Sequence, residues 1–178
     1  GRRSKQFDII RPILEADVLV NIAKLKTHGM MGLSAAVKNL FGCVPGLMKP
    51  ELHCRFPERE AFAEMLVDLC CALKPSLNVV DGIVGMEGNG PTGGKPRFVG
   101  ALAASRDPFA LDLVCAALIH QSPVQVPYLR AGMARNVCPE SVEELILLGT
   151  SLPSLSVPDF EQPESCSVNF LDWLPKFL

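Results

Sequence analysis

The stretch DVLVNIAKLKTHGMMGLSAAVKN, residues 17–39, opens as an apolar run, passes two lysines, a threonine and a histidine, and closes in a glycine-flanked turn and a helical pattern. Its first part, DVLVNIAK at 17–24, is apolar without alternation, the pattern of a strand covered on both faces. From Leu33 to Leu40 the composition is helical, and Gly42 is placed to end that helix. A strand that leads into a helix is the repeating unit of α/β proteins.

Working outward, the same alternation continues. Residues 7–16 read as a short helix or turn interrupted by Pro12, which is tolerated only near a helix start. GCVPGLMKPELHCRFP at 42–57 reads as a loop. Residues 58–73 carry Phe62, Met65, Leu66, Leu69 and Leu73 at helical spacing and stop at Lys74-Pro75. LNVVDGIVG at 77–85 and RFVGALAAS at 97–105 are two further strands, and six glycines and two prolines between Gly82 and Pro96 suggest a long glycine-rich loop between them. RDPFALDLVCAALIH at 106–120 is a helix with Asp107 as N-cap and Pro108 in its first turn. Residues 127–135 suggest a short helix, and ELILLG at 144–149 a fourth strand.

The expectation is therefore an α/β domain over residues 1–150, with a mostly parallel or mixed sheet covered by helices and one antiparallel pair across the glycine loop. A Pro/Ser-rich extension at 151–178 crosses a surface or acts as a linker. Its amphipathic ending, NFLDWLPKFL, reads as the approach to a segment not present here. At the other end, GRRSKQF without methionine suggests further sequence upstream.

Composition bounds the function. A chain of 178 residues, 48% hydrophobic and 20% charged, can bury a core as one domain. A net charge of -2, one tyrosine, one tryptophan and no basic run interleaved with aromatics argue against nucleic acid as a partner. No apolar run approaches the roughly 20 residues of a membrane span, and no secretion signal is visible, so the expected location is cytoplasmic. The seven cysteines are odd in number and contain no C-x-x-C pair, which disfavours a disulfide framework or a zinc site. Cys70 and Cys115 fall in apolar helical patterns as small core residues.

Ligands of α/β sheets gather beyond the carboxyl ends of strands. Lys24, Lys26, Thr27 and His28 lie at such an end, the turn from Gly29 to Gly32 would free backbone N–H groups, and the following helix start adds partial positive charge. This combination suits a phosphate or carboxylate; the simpler alternative is a solvated strand end. The stretch is neither a Walker A loop nor a dinucleotide fingerprint. In DGIVGMEGNGPTGGKP, Asp81, Glu87 and Asn89 offer oxygen ligands on a flexible backbone, Asp81 being a metal ligand, a base or a turn-capping residue. Asp112 lies among Leu111, Leu113 and Val114, where a charge needs a partner. Lys24, Lys26 or Lys38 could supply it if Asp112 faces the site; otherwise it is a solvated helix position. With Asp81 and Glu87 it completes a candidate metal set. His53, beside Lys49, either reaches the same end of the sheet or is a surface residue.

The ordered combination VLVNIAKLKTHGMMGLSAAVKNLFGCVPG, KPELH and LVDLCCALKPSLNVVDGIVGMEGNGPTGGKPRFVGALAASRDPFALD resembles the bacterial and archaeal family called domain of unknown function 362, over residues 17 to about 149. The family's characteristic positions correspond to Lys24, Lys26, His28, Lys38, Asn39, His53, Asp81, Glu87, Gly88, Gly90, Pro91, Asp107 and Asp112. The resemblance implies iron–sulfur association through a ferredoxin-type segment in the same polypeptide. The C-x₂-C-x₂-C-x₃-C-P run that would ligate such a cluster is absent, so the cluster is expected only in a neighbouring segment outside this chain.

Together these readings lead to a redox-linked enzyme domain with an anion- or metal-binding cleft. Lys24, Lys26, Thr27, Gly29, Lys38, Asn39, Gly88, Asn89 and Gly90 are the candidate anion- or cofactor-binding residues, and His28, His53, Lys26 and Asp81 the catalytic ones. The alternative is a non-catalytic module that binds an anionic ligand or docks a ferredoxin-type partner.

Overall fold

A computed structural model describes residues 1–164; Cys166 and the closing NFLDWLPKFL piece lie outside the described residues. The chain runs through α1 (Arg11–Glu15), β1 (Val20–His28), β2 (Gly32–Ser34), α2 (Ala36–Asn39), α3 (Met48–Arg55), α4 (Arg59–Leu73), β3 (Leu77–Glu87), β4 (Lys95–Ser105), α5 (Pro108–Leu118), α6 (Pro127–Met133) and α7 (Leu152–Leu155). The strands form one mixed sheet in the order β2-β1-β3-β4. β1 and β3 are parallel; β1–β2 and β3–β4 are antiparallel. The α/β class and the antiparallel pair across the glycines are as expected.

Burial along β1 alternates: Asn21, Ala23, Leu25 and Thr27 face the helices, while Val20, Ile22 and Lys24 are exposed. The apolar run at 17–24 therefore does not mark a strand covered on both faces, a correction to its reading. On β4, too, Val99 and Ala101 are buried, whereas Phe98 and Leu102 face outward. The core lies on the helix side, where Phe62, Met65, Leu66 and Leu69 of α4 join Leu113 of α5 and Tyr128 and Leu129 of α6. Full burial of such side chains stabilises by about 1.5–3 kcal/mol each. α4 stops where its sequence says, because Lys74 turns left-handed (φ 45°) before Pro75.

Four further readings are corrected. The segment from Leu33 to Leu40 is not one helix: Gly32–Ser34 pairs back on β1, the short α2 follows, and Gly42 lies within a 3₁₀ turn, Leu40–Cys43. Residues 42–57 are not all loop, since Met48–Arg55 is helical; Pro50 falls in the first turn, where a missing N–H loses no helical bond. The long glycine-rich loop shrinks to residues 88–94 because β3 extends to Glu87. Gly85 suits that extension, since a Cβ there would sit only 3.1 Å from the Leu25 carbonyl oxygen. Finally, ELILLG is not a strand. After a 3₁₀ turn at Val142–Glu144 it pairs with no described strand, and Ile146 and Leu148 are each 90% exposed.

The extension beyond residue 150 crosses the surface of the α/β unit. The Val157 N–H donates to the Leu118 carbonyl at 2.7 Å, Gln162 Nε2 donates to the Ile119 carbonyl at 2.8 Å, and Phe160 is buried. From there it runs along the β3–β4 tip. The Gly88 N–H donates to the Glu161 carbonyl at 2.8 Å, and Lys95 and Arg97 form ion pairs with Glu161 and Asp159.

Candidate functional site

The period of two along β1 sets Lys24, Lys26 and His28 on the same face. α2 adds Lys38 and the first turn of α3 adds Lys49; these five residues line a cleft of about 230 Å³, with Ser34, Asn39, Phe41 and Pro91 among its other walls. Lys24 bonds Asp81 at the rim, Nζ to Oδ2 2.9 Å. Among the described residues no carboxylate lies within ion-pair distance of Lys26, Lys38 or Lys49. The Lys38 ammonium lies 5.4 Å and 5.8 Å from the ring centroids of Phe41 and Phe62. His53 stacks on Phe62, with centroids 4.3 Å apart.

This packing shifts the titrations. Burial, followed by the charges of Lys26 and Lys49, lowers the pKa of Lys38 to about 8. Burial, then Lys38, Lys26 and His53, lowers that of His28 to about 3. His53 falls to about 4 through burial and Lys38. At neutral pH both imidazoles are therefore uncharged. The Met31 N–H donates to His28 Nδ1 at 3.2 Å, which places the neutral ring's proton on Nε2 and makes that nitrogen a donor.

Several expected ligand groups are used internally. Thr27 is buried, and its hydroxyl donates to the Gly88 carbonyl at 2.7 Å. The Gly29 N–H donates to the Gly90 carbonyl, the Gly90 N–H to the Gly88 carbonyl, and Asn89 Oδ1 accepts the Glu164 N–H. Asn39 donates its side-chain amide hydrogens to Asn21 Oδ1 at 2.8 Å and to the Ile22 carbonyl at 3.0 Å. The first amides of α2 are occupied as well: Asp112 accepts the N–H groups of Ala36 at 2.7 Å and Val37 at 3.0 Å, together with the Tyr128 hydroxyl at 2.9 Å. The expectation that backbone amides of the turn and helix start cradle an anion is thereby corrected; the cleft is cationic through its side chains.

The carboxylates do not meet. Asp81 is an exposed partner of Lys24, its pKa lowered first by that bond. Glu87 neighbours Met86, the register partner of Lys26, and so takes the opposite sheet face, where it accepts the Glu161 N–H and lies 3.9 Å from Arg97. Asp112 is wholly buried, its pKa raised to about 7 by burial against the opposing hydrogen bonds of Val37, Ala36 and Tyr128. It is neither lysine-paired nor solvated. Among the described residues no group of three or more His, Cys, Asp or Glu side chains could hold a metal ion, so the three carboxylates form no metal set. The described cysteines likewise do not fit an iron–sulfur cluster. Cys70 and Cys115 are buried with raised pKa values, and burial pushes Cys138 up to about 12.

The tip sequence GNGPTG at 88–93 has the glycine spacing of a dinucleotide loop, but it joins two antiparallel strands and not a strand to a helix, so it lacks the context that spacing needs. Sequence reasoning missed Ser34 and Phe41, for which no motif exists. It also missed the asparagine chain, in which Asn21 donates to Asn78 Oδ1 at 2.8 Å and to the Ala36 carbonyl at 2.9 Å, tying α2 to β1 and β3. Two asparagines opening otherwise apolar strands were the available signal.

Comparison with known proteins adds three findings. The family model described as Domain of unknown function (DUF362) matches residues 1–117. A relative named Thylakoid-associated protein sll1697, from Synechocystis sp. (strain ATCC 27184 / PCC 6803 / Kazusa), is 38% identical over 176 residues, an overlap covering 93% of this chain and 55% of the relative. No solved structure matches. Within the described residues no helix is long and apolar enough to cross a membrane. With the family model covering more than half of its length, the chain belongs to the DUF362 family.

Proposed function

We propose that this chain is the ligand-binding part of a redox-linked enzyme, and that the cleft between β1, α2 and α3 holds a small anionic ligand. One observation carries the reading: Lys26, Lys38 and Lys49 converge on one concave site with no described carboxylate in ion-pair reach. Clustered like charges oppose folding, and an anion in the cleft would offset that repulsion. Lys38, with a pKa near 8, exchanges protons close to neutrality and is the group best suited to general acid–base work in this cleft. The neutral His28 acts as a hydrogen-bond donor through Nε2 and not, as its sequence position suggested, as the proton carrier.

The redox assignment rests on the family resemblance, with the cluster in a ferredoxin-type segment of the same polypeptide and a cytoplasmic setting. The relative's printed name ties that protein to thylakoids. A second reading, a module that docks a ferredoxin-type partner, draws on the exposed Val20 and Ile22, which share the face of the cleft lysines.

Calorimetry with sulfate on the intact chain tests the anion site. Binding that is lost in Lys26→Gln and Lys38→Met variants with unchanged circular dichroism supports the reading; identical heats in parent and variants end it. An anaerobic absorption spectrum of the longer polypeptide, showing or lacking an iron–sulfur band, decides the redox part.

A further inference from the structure

We infer that the ligand of this cleft is a phosphate dianion, either free or carried by a compact organic group, and not a carboxylate or a nucleotide. The inference rests on the anion-site reading above and narrows its ligand.

The first argument is charge. Three ammonium groups without described carboxylate partners surround one small volume, and a monoanion would leave most of that charge uncompensated. A dianion gains about twice the Coulomb attraction at the same distances. The second is the kind of donor. No arginine lines the cleft, so its donors are not the planar fork that binds carboxylate and phosphate alike. Lysines act as compact point charges with several donor directions, which suits an oxyanion whose acceptors point to the corners of a tetrahedron. Further donors stand on the same walls. His28 offers Nε2–H, and Ser34, 7% exposed, has a hydroxyl with no hydrogen-bond partner among the described residues.

The third argument is size. The cleft, about 230 Å³, falls below the roughly 300–1,000 Å³ typical of pockets for drug-sized molecules. A phosphate with a short organic tail is enclosed by such a cleft, whereas a nucleoside monophosphate would extend beyond its walls. Phe41 gives such a tail an apolar wall, while Asn39, its amide hydrogens already committed, adds no donor.

Calorimetry on the intact chain with acetate, inorganic phosphate, glycerol 3-phosphate and adenosine monophosphate, at one ionic strength and pH 7.5, tests this. At least tenfold tighter binding of phosphate or glycerol 3-phosphate than of acetate supports the inference, and the tighter of those two identifies the source of the group. Acetate binding as well as phosphate overturns it while leaving the anion site standing. Adenosine monophosphate binding as tightly as glycerol 3-phosphate overturns the size limit. Failure of all four to bind defeats the underlying site as well. Lys49→Gln, on α3 and outside the hydrogen bonds that hold α2, should weaken phosphate at least fivefold and acetate by less; equal weakening of both also overturns the assignment.

Discussion

The Asp112 carboxylate accepts the backbone N–H of Ala36 at 2.7 Å across 76 positions of sequence. With its bonds to the Val37 N–H and the Tyr128 hydroxyl, this contact caps α2 from below and holds Lys38 over the cleft. In Asp112→Ala two amides and a hydroxyl lose their buried partner, at about 1–3 kcal/mol each. That is a large part of the roughly 5–15 kcal/mol by which a domain is stable. Urea melts are expected to show Asp112→Ala unfolded or severely weakened, and Tyr128→Phe weakened by only about 1 kcal/mol. Equal effects of the two would contradict the capping role.

Lys38 makes ligand-free stability depend on alkaline pH. Its folded pKa, about 8, lies below the unfolded 10.5, so between these values the unfolded chain binds more protons and stability rises with pH. Urea stability of the parent is expected to climb by roughly 1–3 kcal/mol between pH 8 and 10.5, and Lys38→Met should flatten the climb.

The same group reverses the trend for binding. An anion favours the charged ammonium, so affinity for sulfate, whose own charge is constant over this range, should fall once pH exceeds about 8. Titrations at pH 7, 8, 9 and 10 test it. A flat profile would remove Lys38 from the site.

At the acid end His28 and His53 act in concert. Their folded pKa values, about 3 and 4, lie below the ordinary 6.5, so the stability they contribute is present above 6.5 and is lost as pH falls towards 4. His28→Asn retains an acceptor for the Met31 N–H and should shift the acid-unfolding midpoint downward. An unchanged midpoint would show that His28 is not among the groups that drive acid unfolding.

The β3–β4 tip links the cleft to the segment at 157–164. A methyl group on Gly90 would collide with the Thr27 carbonyl, and Pro91 beside it lines the cleft. Gly90→Ala should weaken sulfate binding together with stability. Phe160→Ala, by contrast, should cost about 3 kcal/mol and expose the segment to protease, with a smaller effect on sulfate.

Helices announced by local chemistry were legible in the sequence. Asp107 accepts the Phe109 and Ala110 N–H groups as the N-cap of α5, and the stripe from Phe62 to Leu69 is buried in α4. The readings that failed depended on distant neighbours. GLS at 32–34 is a strand only because Lys26, Thr27 and His28 are there to pair with it, and ELILLG is not one because no described strand receives it. Of the candidate site, Lys24, Lys26, His28 and Lys38 do line one cleft, whereas Glu87 turns to the other sheet face through the period of two.

By itself, then, the sequence determined the α/β class, the end of α4, the start of α5 and the β1 positions of the cationic residues, because caps, prolines and hydrophobic periods act within a few residues of themselves. Tertiary structure alone decided which donors remain available. Asp112, Gly90 and the asparagines use up the backbone amides and the Asn39 side chain from far along the chain, leaving the lysines, with His28 and Ser34, as the donors facing the cleft. Hydrogen-bond partners so far apart in sequence exist only after the sheet has closed.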